Sequence, residues 1–75
     1  MIRTFETVIL SRGCISVSIT KKIEEEFNFK KCSLCTETSK YGERICFVEQ
    51  EFSNISELKS CFDAYVACYK SRGFK

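Results

Sequence analysis

The chain reads as an α+β domain: a three-stranded antiparallel β-meander with one C-terminal helix packed on a face, β-β-β-α. Three observations predict it. Two runs of alternating apolar residues flank a glycine-containing turn at Ser11, Arg12 and Gly13. A further run over Glu43–Phe52 carries Ile45, Cys46, Phe47 and Val48 in succession, which suits a strand apolar on both sides of its pleat. Beyond it, Ile55, Leu58, Phe62, Tyr65, Val66 and Tyr69 recur at helical spacing. The 44% hydrophobic fraction and ten aromatics (seven Phe, three Tyr) are enough for one core, so residues 1–75 form one domain.

The first element is a hairpin. Gly13 takes a left-handed backbone without steric cost, so a three-residue loop closing there pairs Leu10 with Cys14, Ile9 with Ile15, Thr7 with Val17 and Phe5 with Ile19. That register gathers Met1, Phe5, Ile9, Ile15, Val17, Ile19 and Ile23 on one face, leaving Ile2 and Val8 as exceptions on the other. Residues 21–28 continue the alternation through Ile23 and Phe27. A short helix there would place Lys21 and Lys22 at its positive end and Glu24, Glu25 and Glu26 toward its negative end. A long second strand, bent or bulged beyond residue 23, is the better reading.

Residues 30–41 are polar and read as a loop. The third strand follows at Glu43–Phe52 and should be central or covered. Asn54 then has the character of a helix N-cap, with Glu57 three residues on in the capping-box position. Lys70 and Arg72 suit the C-terminal end, and Gly73 is the expected C′ stop.

The six cysteines, in a sequence without histidine or proline, split on this fold. Cys14 sits beside the hairpin turn as a structural thiol. Cys61 and Cys68 lie on one edge of the helix, about 10 Å apart and too far to bond. Counting back from the connecting turn brings Cys46 and Cys68 to similar heights, roughly 20 Å away and near the loop holding Cys32 and Cys35. Cys32, Cys35, Cys46 and Cys68 are therefore the candidate zinc ligands, since a structural site needs four. Against this stands a single CxxC with no second knuckle, and the bland alternative is reduced, half-buried thiols. No cofactor is required.

Catalysis is not expected. Without histidine a cysteine nucleophile has no ordinary general base. Glu24, Glu25 and Glu26 are adjacent, so in a strand they alternate faces and form a solvated surface rather than a carboxylate pair. No phosphate-binding loop or hydrolase elbow is present.

The net charge of +2 is too small to imply nucleic-acid binding by itself. Its distribution is the functional hint. Lys30, Lys31, Lys40, Arg44, Lys70, Arg72 and Lys75 should gather at the pole formed by the loop and the helix end, beside an exposed Tyr41 and Phe74. The first reading is a small non-enzymatic interaction protein that binds and inhibits a larger protein, with Lys30, Lys31, Lys40, Tyr41, Arg44, Lys70 and Arg72 as contacts and a homodimer through a sheet edge as an extra. Its composition, rich in Lys, Ile, Phe, Glu and Ser, fits a viral or mobile-element accessory protein. The alternatives are a zinc-stabilised nucleic-acid-binding module using the same pole and a secreted disulfide-stabilised protein. With no apolar run long enough to span a membrane and no signal-like N-terminus, a cytoplasmic location is expected.

Overall fold

A computed structural model describes residues 2–75 and shows an α+β fold with an antiparallel sheet and one C-terminal helix. The sheet has four strands rather than three. They are β1 (Ile2–Arg12), β2 (Ile15–Glu26), β3 (Phe29–Lys40) and β4 (Glu43–Phe52), in the spatial order β1-β2-β3-β4. Helix α1 (Ile55–Ser71) follows and packs mainly on β2 and β3. The expectation for Met1 falls outside the described residues.

The extra strand is the segment expected to be a loop. Its polarity misleads because β3 lies between two neighbours, which hydrogen-bond its backbone on both sides. One side of its pleat places Cys32, Leu34 and Thr36 in the buried layer. The other carries Lys31, Cys35, Glu37 and Ser39. β2 runs without a bulge to Glu26, where Phe27 and Asn28 turn the chain into β3. Phe27 adopts φ 41° in this turn and is fully exposed. Strand β1 has not run out there, since Ile2 still opposes Glu25.

The hairpin register also differs. Gly13 (φ 61°) and Cys14 form a two-residue turn, so Leu10 opposes Val17 and Val8 opposes Ile19. Glycine at the first central position of a two-residue loop is a favoured solution. The shift from the expected pairing is an odd number of residues, so it turns β1 over. Leu10 becomes core, and Phe5 and Ile9 face outward at 57% and 67% exposure. Val8 and Ile2, the exceptions in the expected register, belong to the helix-side face of β1.

The core is one layer between sheet and helix: Leu10, Val17, Ile19, Cys32 and Leu34 below, Leu58 and Phe62 above, and Phe74 at the end. Asn54 caps α1 as its side chain accepts the Glu57 amide at 2.8 Å. At the other end Phe74 N–H donates to the Tyr69 carbonyl and Gly73 N–H to that of Lys70, with Gly73 at φ 91°. This is the two-bond Schellman closure, and the Tyr69 and Phe74 rings complete it edge-on at 5.2 Å. Phe74, expected on the surface, is therefore buried. The tail continues onto the sheet, where Ser11 and Lys75 exchange two backbone hydrogen bonds at 2.9 Å each. Strand β4 departs most from expectation: it is an edge, and every residue but Phe52 is exposed.

Candidate interaction surface

The cysteines are free thiols. Cys14 lies in the turn and is exposed, Cys61 is half-buried, and Cys68 is exposed near the helix end. Cys32 and Cys35 are three apart in a strand, so they point to opposite faces, whereas a metal knuckle needs a turn that brings both to one side. Cys46 opposes Thr38, and Cys32 opposes Phe52. Six strand residues, roughly 20 Å, therefore separate Cys32 from Cys46. The structure does not bring Cys32, Cys35, Cys46 and Cys68 together. Among the described residues no group of three or more Cys, Asp or Glu side chains is placed to hold a metal ion.

Cys35 instead joins a polar network on the open face of the sheet. Its Sγ donates to Glu49 Oε2 at 3.3 Å. Lys22 bridges Glu24 and Glu49 at 3.4 and 3.8 Å, and Lys31 meets Glu51 at 3.1 Å. The Glu51 hydrogen bond and charge raise the Lys31 pKa. Partial burial first, and then the Glu49 hydrogen bond and charge, push the Cys35 thiol above its ordinary value, with Lys22 opposing. A raised thiol pKa means less thiolate at a given pH, hence slower alkylation. At pH 8, iodoacetamide with peptide mass spectrometry should modify Cys35 more slowly than exposed Cys14, Cys46 and Cys68. Glu49→Gln should speed Cys35 selectively, and an unchanged rate would remove Glu49 from the explanation.

The expected basic pole is partly assembled. Strand β3 carries Lys30 and Lys40 ten residues apart, roughly 33 Å along the sheet. Lys30 and Lys31 therefore lie at the far end, paired with Glu25 at 3.3 Å and Glu51 at 3.1 Å. Reading β3 as a loop had merged its two ends. Lys40, Tyr41, Arg44, Lys70 and Arg72 do meet at the pole made by the Gly13–Cys14 turn, the Tyr41–Gly42 turn and the end of α1. The two turns are linked by Tyr41 N–H to the Cys14 carbonyl at 3.0 Å, and Arg12 Nη1 donates to the Arg72 carbonyl at 2.7 Å.

Arg12 is the pole residue that sequence reasoning missed, because it was assigned to the turn. Its signal was an odd one: a cation preceding glycine in a two-residue hairpin sits in the last strand position. Lys75 joins the same pole through its pairing with Ser11. Four cations lie over aromatic rings here: Arg12 over Phe74 at 5.5 Å, Arg44 over Phe47 at 5.5 Å, Lys40 over Tyr41 at 5.9 Å and Arg72 over Tyr69 at 6.0 Å. Among the described residues, Arg12, Lys40, Arg44, Lys70, Arg72 and Lys75 make no ion pair, while Lys21, Lys22, Lys30 and Lys31 all do. Tyr41 is 79% exposed and Phe47 50%.

No known protein family, curated protein or solved structure matches the chain. Among the described residues no helix is long and apolar enough to cross a membrane.

Proposed function

We propose that the chain is a non-enzymatic interaction protein that docks through its cationic-aromatic pole onto an acidic surface of a larger protein and inhibits it by occlusion. The observation that carries this reading is the convergence of six cations without internal counter-ions at one end of the molecule. Each such cation contributes little alone, about 0.2–1 kcal/mol for an exposed pair. A patch of six acts collectively on the encounter rate. Tyr41 and the cations held over aromatic rings provide the residue types that anchor protein interfaces. Aliphatic Ile45, exposed at 61% next to Arg44 in β4, favours a protein partner over nucleic acid, whose phosphates it does not contact. Free thiols at all six cysteines suit a reducing compartment such as the cytoplasm, and the viral or mobile-element origin inferred from composition fits a small inhibitor.

The test is capture from host extract with the wild-type chain and with the combined variant Lys40→Glu, Lys70→Glu and Arg72→Glu, each with and without nuclease. A protein held at low salt by the wild type alone, with an on-rate at least about tenfold above that of the variant, is the expected result. Equal retention by both chains would remove the pole from the mechanism. Retention abolished by nuclease would transfer the pole to nucleic acid.

A further inference from the structure

We infer that two copies of this chain pair through the β4 edge, antiparallel about a two-fold axis normal to the sheet at Phe47, forming one continuous eight-stranded sheet. The pairing shares Arg44 and Ile45 with the cationic pole but does not depend on what the pole binds.

Strand β4 is ten residues long and unpaired on its outer side. Its apolar centre is exposed on both faces, with Ile45 at 61%, Phe47 at 50% and Val48 at 51%. An edge like this pairs with another chain unless charge, proline or a bulge blunts it. Lysine and proline are absent from β4, and its four charges, Glu43, Arg44, Glu49 and Glu51, flank an uncharged centre from Ile45 to Val48. Its one irregularity lies at Ile45, opposite Thr38 and Ser39, leaving residues 46–52 in regular register. The opposite edge, open over residues 2–10, differs at its Ser11 end. On β1 the Ser11 backbone is closed by Lys75, and the buried Phe74 holds that closure in place.

The occupant is a second copy because the edge is complementary to itself. An axis normal to the sheet keeps each face continuous, so residues of the same face oppose one another. Centring it on Phe47 sets Phe47 against Phe47 and Cys46 against Val48. The irregularity after Thr38 adds one residue, which brings Arg44 to the face of Phe47, as its 5.5 Å approach to that ring shows. Arg44 then opposes Glu49 of the second copy, twice per dimer. A foreign strand would have to reproduce this basic-apolar-acidic order in reverse.

The isolated chain is also more extended than its mass warrants. It exposes 5211 Å² against about 4,700 Å² expected for 8.7 kDa. Its radius of gyration is 13.3 Å against about 11.3 Å. Pairing through β4 removes part of that excess and leaves the two cationic poles at opposite ends, with only Arg44 taken up by the contact.

Sedimentation equilibrium of the full chain over a wide concentration range tests the dimer. The expected mass is twice 8.7 kDa, reduced to the chain mass by Val48→Lys, a substitution at an exposed edge site. Arg44→Glu or Glu49→Arg alone should weaken the dimer by about tenfold or more, and the two together should restore it. Amide exchange in β4 should be slow in the wild type and fast in Val48→Lys, with β2 and β3 slow in both. A monomer at every concentration, a dimer indifferent to Val48→Lys, or a double variant no better than either single one overturns the proposal. So does a β4 edge that becomes protected only by a foreign peptide.

Discussion

Leu58→Ala is expected to leave the chain largely unfolded at 37 °C. Leu58 is fully buried and is the point where α1 meets the sheet layer of Val17, Ile19 and Leu34. Truncating a leucine in such a site costs about 3–5 kcal/mol, the transfer of the lost atoms plus the cavity left behind. A core of this size rarely supplies more than about 3–5 kcal/mol in total. The two figures are comparable, so one substitution removes most of the net stability. The helix cannot compensate alone, since a helix of 17 residues is marginal in water without packing. Urea melts followed by far-UV circular dichroism should show a much lower midpoint, and thermal melts a drop of about 4–8 °C per kcal/mol lost. A loss near 1 kcal/mol with an intact helix would mean that the sheet stands without α1, contrary to the single shared core described above.

The helix and β4 were legible in the sequence because their signals are local. Asn54, the apolar stripe from Ile55 to Tyr69, and Gly73 each act within a few residues, and the structure places the cap, the stripe and the stop where they were expected. The bounds of β4 were equally plain, but not its position. Ile45, Cys46, Phe47 and Val48 announce a strand apolar on both sides, and sequence cannot say whether another strand of the same chain covers it. The missing strand β3 has the opposite character. Thr36, Thr38 and Ser39 need no apolar run when β2 and β4 supply partners on both sides, and those partners are remote in sequence.

One misreading propagated. Taking residues 30–41 as a loop put Lys30 and Lys31 beside Lys40, gathered Cys32 and Cys35 into a metal cluster, and made the sheet three-stranded. All three errors vanish once the segment is extended. The hairpin register failed for a separate reason. β1 carries Phe5 and Ile9 on one side and Val8 and Leu10 on the other, so its pattern fits either face, and the turn decides. The five pole residues that do converge, Lys40, Tyr41, Arg44, Lys70 and Arg72, come from a turn flank and a helix end, where geometry does not depend on that register.

Phe74→Ala should be the next most damaging change, and its consequences should reach beyond stability. Phe74 is the hydrophobic half of the helix closure, edge-on to Tyr69 and under Arg12, and its neighbour Lys75 covers the β1 edge at Ser11. Removing a buried phenylalanine side chain costs about 3 kcal/mol or more. Phe74→Leu, which keeps most of the apolar volume, should lose less than about 1.5 kcal/mol. The difference between the two variants, read by urea melts, separates packing from the backbone closure that both retain. The wider effect follows from the edges. With Phe74 gone the tail has no anchor, the Ser11 amide should exchange faster, and the outer edge of β1, already open over residues 2–10, opens along its whole length. A chain that pairs through β4 and also offers the full length of β1 no longer stops at a closed dimer, because unlike edges can add without limit. Light scattering should therefore show concentration-dependent growth for Phe74→Ala and not for Phe74→Leu. If Phe74→Ala stays monodisperse while the Ser11 amide is unprotected, the tail stabilises the helix end but does not guard the sheet.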